Sequence, residues 1–120
     1  MQVVYDLIVR ALKPRISEIN SDMAKQTFAT WELIPIMRDT TLVGVALRKQ
    51  AELHIIIDPT YQNTICFLKQ AKQIVAETIA KYSYAETKVI DSHILGHRLA
   101  KILGFSVTDS SDNIVSYKKE

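Results

Sequence analysis

His93 and His97 stand four positions apart, a spacing that makes two side chains neighbours on one helix face. Two imidazoles so placed can ligate zinc. The stretch His93-Ile94-Leu95-Gly96-His97 lacks the glutamate of the zinc-protease motif, and a third ligand would have to come from afar, for instance Asp91 or His54. A polar helix face is the plainer reading, and no metal is expected. Cys66, the only cysteine, falls near the start of a predicted helix, where a thiolate is favoured; no histidine stands beside it, and a buried helix residue is the expectation. Ser110 and Ser111 read as turn chemistry rather than as a nucleophile. Arg98, Lys101, Lys118 and Lys119 gather towards the C-terminal hairpin, and a solvated face accounts for them.

Those residues must be carried by a small body. The chain has 120 residues, enough for one domain spanning 1–120. Hydrophobic residues make up 48% and charged residues 23%, which is globular composition, not that of a disordered chain. The net charge of +2 and the scattered basic residues do not point to nucleic acid. A single cysteine forbids an internal disulfide and fits a reducing compartment. The apolar runs are far shorter than the roughly 20 residues that span a bilayer, and the start of the chain lacks the basic and apolar regions of a secretory leader. A cytoplasmic protein with no membrane contact is expected.

Hydrophobic period then divides the chain. Val4, Leu7, Ile8, Ala11 and Leu12 predict a helix over 3–12, interrupted by Pro14. Ile16, Ile19, Met23 and Ala24 predict a second over 15–27. The period changes to two at residues 31–38, a strand whose Pro35 places it at an edge or a bulge. Phe28 and Trp31 are expected to pack between helix and sheet. Residues 42–48 form a near-continuous apolar strand covered on both faces, and 52–58 a third strand ended by Asp58-Pro59. Residues 64–82 predict the clearest helix, with Ile65, Leu68, Ala71, Val75, Ile79 and Tyr82 in one stripe. A strand over 84–90 follows, then a helix capped by Asp91 or Ser92, with Leu95, Leu99, Ile102 and Leu103 inward and Gly104 at its C-cap. Gly96 in mid-helix fits close packing on a sheet. Residues 105–108 and 114–118 close the chain as a hairpin around a 109–113 turn. The result is an α/β (α+β) domain: a helical part over 1–28, then a mixed, mostly antiparallel sheet flanked by helices over 30–118.

This order, with the stretches "ELHIIIDPTYQ" (52–62) and "HRLAKILGF" (97–105), resembles the GNAT (Gcn5-related) N-acetyltransferases over residues 30–118. A second likeness is to the small acetyltransferase-like proteins of some tailed phages, some of them virion components, which implies host cytoplasm or virion as the location. The resemblance implies an acetyl-CoA site at the end of the 52–58 strand and in the loop after it. In the family a glycine-rich loop leads into a helix N-terminus that holds the pyrophosphate. The cofactor positions so implied are Ile57, Gln62, Asn63, Thr64, Ile65, Cys66 and Phe67. Gln62 matches the family pattern, whereas Ile65 and Phe67 stand where small residues let the backbone approach a phosphate. Thr64 is placed to cap the helix.

The family's general base implies Glu52 or His54, which share one strand face; either serves, or Glu52 is a solvated strand end and His54 a half-buried filler. Where many members carry a tyrosine general acid this chain has Ala100, and His93 stands at a position commonly asparagine. The family's first strand has no counterpart, because 3–12 reads as helix. Two functions follow from the resemblance. One is a non-catalytic binding or structural protein with a degraded cofactor loop, in a homo-oligomer or larger assembly. The alternative is a divergent acetyl-CoA-dependent N-acetyltransferase acting on an amine.

Overall fold

A computed structural model describes residues 2–62 and 64–120 of the chain. It divides into two compact units: residues 1–49 with 55–71, and residues 50–54 with 72–120. Six strands hydrogen-bond in one mixed sheet in the order β1-β2-β3-β4-β6-β5.

In the first unit, helix α1 (Gln2–Leu12) buries Val4, Leu7, Ile8 and Ala11, the stripe read from the sequence. Helix α2 is Ser21–Thr27, shorter than the 15–27 segment expected. Residues 15–19 instead form turns, with the Arg15 and Ile16 amides donating to the Leu12 carbonyl and the Ile19 amide to Ile16. The Asn20 side chain then starts the helix by accepting the Met23 amide at 3.0 Å. Strand β1 (Glu32–Arg38) pairs antiparallel with β2 (Thr41–Lys49). Val45 and Leu47 of β2 pack with Val4, Leu7, Ile8 and Ala24, and Phe28 and Trp31 join that cluster in an edge-to-face pair with centroids 6.4 Å apart. β2 is buried from Val43 through Arg48 without alternation, as its apolar run requires.

β1 is a sheet edge, as Pro35 demands, and it is guarded against further pairing. A bulge falls between Ile36 and Met37, and the Met37 amide donates to the Gln70 side chain at 2.7 Å. The opposite edge, β5 (Ser106–Ser111), carries its own bulge between Val107 and Asp109.

β3 (Glu52–Ile57) runs through both units, and in the second it pairs in parallel with β4 (Ala85–Ile90) at one register position, Glu52 opposite Glu86. A parallel pair needs a crossover, which α3 (Leu68–Tyr82) supplies. α3 starts at Leu68, not at 64. Ala71 and Val75 are buried as expected, but Ile65 lies in the preceding turn and is 82% exposed. β6 (Ile114–Lys119) pairs antiparallel with β4 and β5, and the hairpin turn is tighter than the 109–113 expected: Asp112 and Asn113 alone take positive φ. Helix α4 is Ile94–Ile102. Its N-cap is His93, whose side chain makes no capping bond, in place of Asp91 or Ser92; those two form the turn that the His93 amide closes on the Ile90 carbonyl. Ala100 and Leu103 face inward, whereas Ile102 is 50% exposed, against expectation.

Two backbone positions carry predictions. Gly96 is tight against the sheet: a Cβ there would stand 2.6 Å from the His93 ring and 2.8 Å from Val89. Gly96→Ala gains about 1 kcal/mol of helix propensity but overpacks at about 1 to 3 kcal/mol, so a net loss near 1 kcal/mol is expected in thermal unfolding. Ser83 ends α3 at φ 77°, its amide donating to the Ile79 carbonyl at 2.8 Å. Glycine adopts that conformation without strain. Ser83→Gly should raise the urea midpoint with the slope unchanged, a gain of about 0.5 to 1 kcal/mol.

Candidate functional site

The loop after β3 is held from its first residue. Asp58 is buried, and its amide donates to the Val43 carbonyl at 2.9 Å. Its carboxylate accepts from Arg10 Nη2 at 2.7 Å and from the Thr60 amide at 3.0 Å, capping a 3-10 turn (Pro59–Tyr61). Burial works to raise the Asp58 pKa, but Arg10 and the Thr60 amide prevail and hold it below the ordinary carboxylate value.

From there the chain bonds to itself. The Tyr61 amide donates to the Asp58 carbonyl, Gln62 to Pro59, Thr64 to Tyr61 and Leu68 to Ile65. The Gln62 side chain donates to the Ile57 carbonyl at 3.2 Å. The Thr64 hydroxyl donates to the Tyr61 carbonyl at 2.8 Å, so Thr64 does not cap α3 as expected. Cys66 Sγ lies 3.1 Å from that hydroxyl and is half-buried, two residues before the helix rather than within it. Phe67 is in the core at 7% exposure, and its carbonyl accepts the Ala71 amide in the first turn of α3. Ile57 is buried as well. Asn63, the remaining expected cofactor position, lies outside the described residues. The loop bonds found among the described residues leave out the amides of Ile65, Cys66 and Phe67, which precede the helix.

In the second unit, Glu52 and His54 point from one face of β3, as their spacing required, and they meet: His54 Nε2 lies 2.7 Å from Glu52 Oε2. Both side chains are about 30% exposed, at 31% and 29%. A carboxylate on one ring nitrogen fixes the tautomer and orients the ring, an arrangement that suits a proton acceptor.

His93 stands just before α4, and His97 is engaged at both ring nitrogens. The His97 Nε2 lies 3.0 Å from each of the Ile90 and Asp91 carbonyls and so donates to them, while Nδ1 lies 2.7 Å from the buried Tyr117 hydroxyl. His97 thus clamps α4 to the end of β4 and to β6, a role for which the sequence offered only the helical spacing. Among the described residues no cluster of three His, Cys, Asp or Glu side chains is arranged to hold a metal. Ala100, at the position of the family's tyrosine, is 4% exposed and offers no proton. The four basic residues do not form one face: Lys118 stacks over Tyr84 at 4.7 Å, while Lys119, on the other side of β6, donates to the Leu103 carbonyl at the end of α4.

Comparison with solved structures decides the fold. The chain superposes on an N-acetyltransferase from Staphylococcus aureus Mu50 with a TM-score of 0.74, covering 100% of this chain and 94% of that one at 12% identity. The fold is that of the GNAT N-acetyltransferases. A GNAT family acetyltransferase from Elizabethkingia anophelis, solved with acetyl-CoA bound, matches at 0.70 with 15% identity, over 97% of this chain and 89% of its own. The PaiA N-acetyltransferase from Thermoplasma acidophilum, solved with coenzyme A, matches at 0.66 with 13% identity over the same shares, 97% and 89%. No protein-family model and no curated protein matches the sequence. No helix among the described residues is long and apolar enough to cross a membrane.

Proposed function

We propose that this GNAT-fold, acetyltransferase-like chain works by binding rather than by acetyl transfer, as a structural or binding component of a homo-oligomer or a larger protein assembly. The loop after β3 carries this reading. A pyrophosphate cradle needs small residues and amides directed at the ligand. Here the amides of Thr60, Tyr61, Gln62, Thr64 and Leu68 are taken up within the loop, which leaves out only those of Ile65, Cys66 and Phe67 among the described residues, and Phe67 fills the core where the family has a small residue. Ala100 removes the side-chain acid for the leaving thiolate.

The Glu52–His54 contact favours a second reading, a divergent acetyl-CoA-dependent N-acetyltransferase. His54, oriented by Glu52, would take the proton as an amine attacks the thioester carbonyl. The C–S bond would then break, and the thiolate would draw its proton from water. A thiol-release assay with acetyl-CoA and a panel of primary amines separates the two. Binding without transfer predicts release at the uncatalysed rate, unchanged by Glu52→Gln or His54→Gln. Release above that rate, lost in His54→Gln, would establish the enzyme.

A further inference from the structure

We propose that the outward ridge of α4 docks a short acidic, amphipathic segment of another protein. The proposal is independent of whether acetyl-CoA binds. Ala100 is buried, Leu95 and Leu99 are half-buried, and His97 is tied to Tyr117, which together define the packed side of this helix. Ile94, Arg98 and Ile102 lie at i, i+4 and i+8 on the opposite side, one line along the axis, with Lys101 beside them. Ile94 is 71% exposed and Ile102 50%. The two isoleucines stand about 12 Å apart along the axis, with Arg98 between them in the row.

Lone exposed apolar residues are ordinary. This ridge differs in setting two of them at either end of a row that holds exposed cations and no acidic residue. Isoleucine is a poorer helix former than alanine or lysine, so helix stability does not explain its presence on the wet side.

Charge selects the occupant. A second copy meeting this ridge about a two-fold axis would set Ile94 against Ile102 but Arg98 against Arg98, a like-charge contact that disfavours the pairing. Nucleic acid would gain few phosphate contacts from Arg98 and Lys101 while desolvating two isoleucines. A segment with apolar residues about two helical turns apart and a carboxylate between them satisfies all three positions, by the helix-face mode of recognition.

The test is selection from a random dodecapeptide library against the full chain, with affinities then measured for the wild type, Ile94→Asp and Arg98→Glu. Both substituted positions are exposed, so unchanged circular dichroism and melting temperature are expected and are checked first. The selected peptides should carry Asp or Glu between apolar residues. Their affinity should fall by at least about tenfold in each variant. Failure to enrich any peptide, enrichment of peptides without acidic residues, or affinities indifferent to both substitutions would overturn the proposal. Sedimentation with phosphatidylglycerol vesicles that Ile94→Asp abolishes would assign the ridge to lipid instead. A concentration-dependent dimer that the same substitution dissolves would assign it to a second copy. Either result also overturns it.

Discussion

Phe67→Ala should lower the unfolding free energy by about 3 to 5 kcal/mol, the loss expected when a core aromatic is truncated, while Ile65→Gly should change it by less than about 1 kcal/mol. The two positions are two residues apart in one loop, and both replace small residues of the family pattern. They differ in what they touch: Phe67 is 7% exposed and leads into the first turn of α3, whereas Ile65 is 82% exposed. In a domain of this size the first substitution should depress the melting temperature by roughly 10 to 20 °C. Urea titrations read the difference at constant slope. The contrast bears on function, because it says that the loop cannot return to a glycine-rich cradle by simple substitution. Its aromatic residue belongs to the core. Equal, small effects at both positions would mean that Phe67 is a surface obstruction and that the cofactor loop is only sterically blocked.

Asp58→Asn should cost about 2 kcal/mol at neutral pH, since hydrogen bonds to a buried charged group are worth roughly 1.5 to 3 kcal/mol and asparagine keeps the Thr60 contact while losing the charge opposite Arg10. The pH dependence has a definite sign. The Asp58 pKa in the folded protein lies below its unfolded value, because Arg10 and the Thr60 amide outweigh burial. Its stabilising contribution is therefore fully present above the unfolded carboxylate pKa, near 4, and is lost as pH falls through the lower folded value. The wild type should lose this increment only in acid, and Asp58→Asn should lack it at every pH. The two stability curves should converge below about pH 4. Curves that remain parallel into acid would show that the aspartate acts through shape and not through charge.

Much of the architecture was legible because hydrophobic period reports which face is covered. The unbroken apolar run from Val43 to Leu47 announced a strand buried on both faces, and Pro35 announced an edge. Gly104 takes the positive φ, 91°, that its place just past the Leu103 C-cap called for. The boundaries were less legible because neighbours decide them. Ile65 fell in phase with Leu68 and Ala71, and period alone could not show that Thr64 and Leu68 would bond back into the loop. Residues 15–19 fitted a helical stripe, yet Asn20 sets the start of α2 from five residues further on. The same division holds for the site. Two residues on one strand face neighbour each other, so the shared face of Glu52 and His54 was readable, whereas their contact was not. Asp58 read as a strand end. Its grip on the loop depends on Arg10, which lies 48 positions away in the sequence, although the local Asp-Pro-Thr turn with its Thr60 amide bond carried part of the message. The His97–Tyr117 clamp joins residues 20 positions apart and had only the spacing from His93 to suggest it.

The most direct measurement of the central claim is thermal unfolding in the presence of millimolar acetyl-CoA, with inorganic phosphate as the control. A ligand at 100 times its dissociation constant stabilises the native state by about 2.7 kcal/mol, which moves the midpoint of a domain this size by several degrees. A loop that sets Phe67 in the core and bonds the Thr60, Tyr61, Gln62 and Thr64 amides internally predicts no shift with either compound, in the wild type and in Ile65→Gly alike. A shift of several degrees with acetyl-CoA and none with phosphate would contradict the account by showing that the cofactor site is intact.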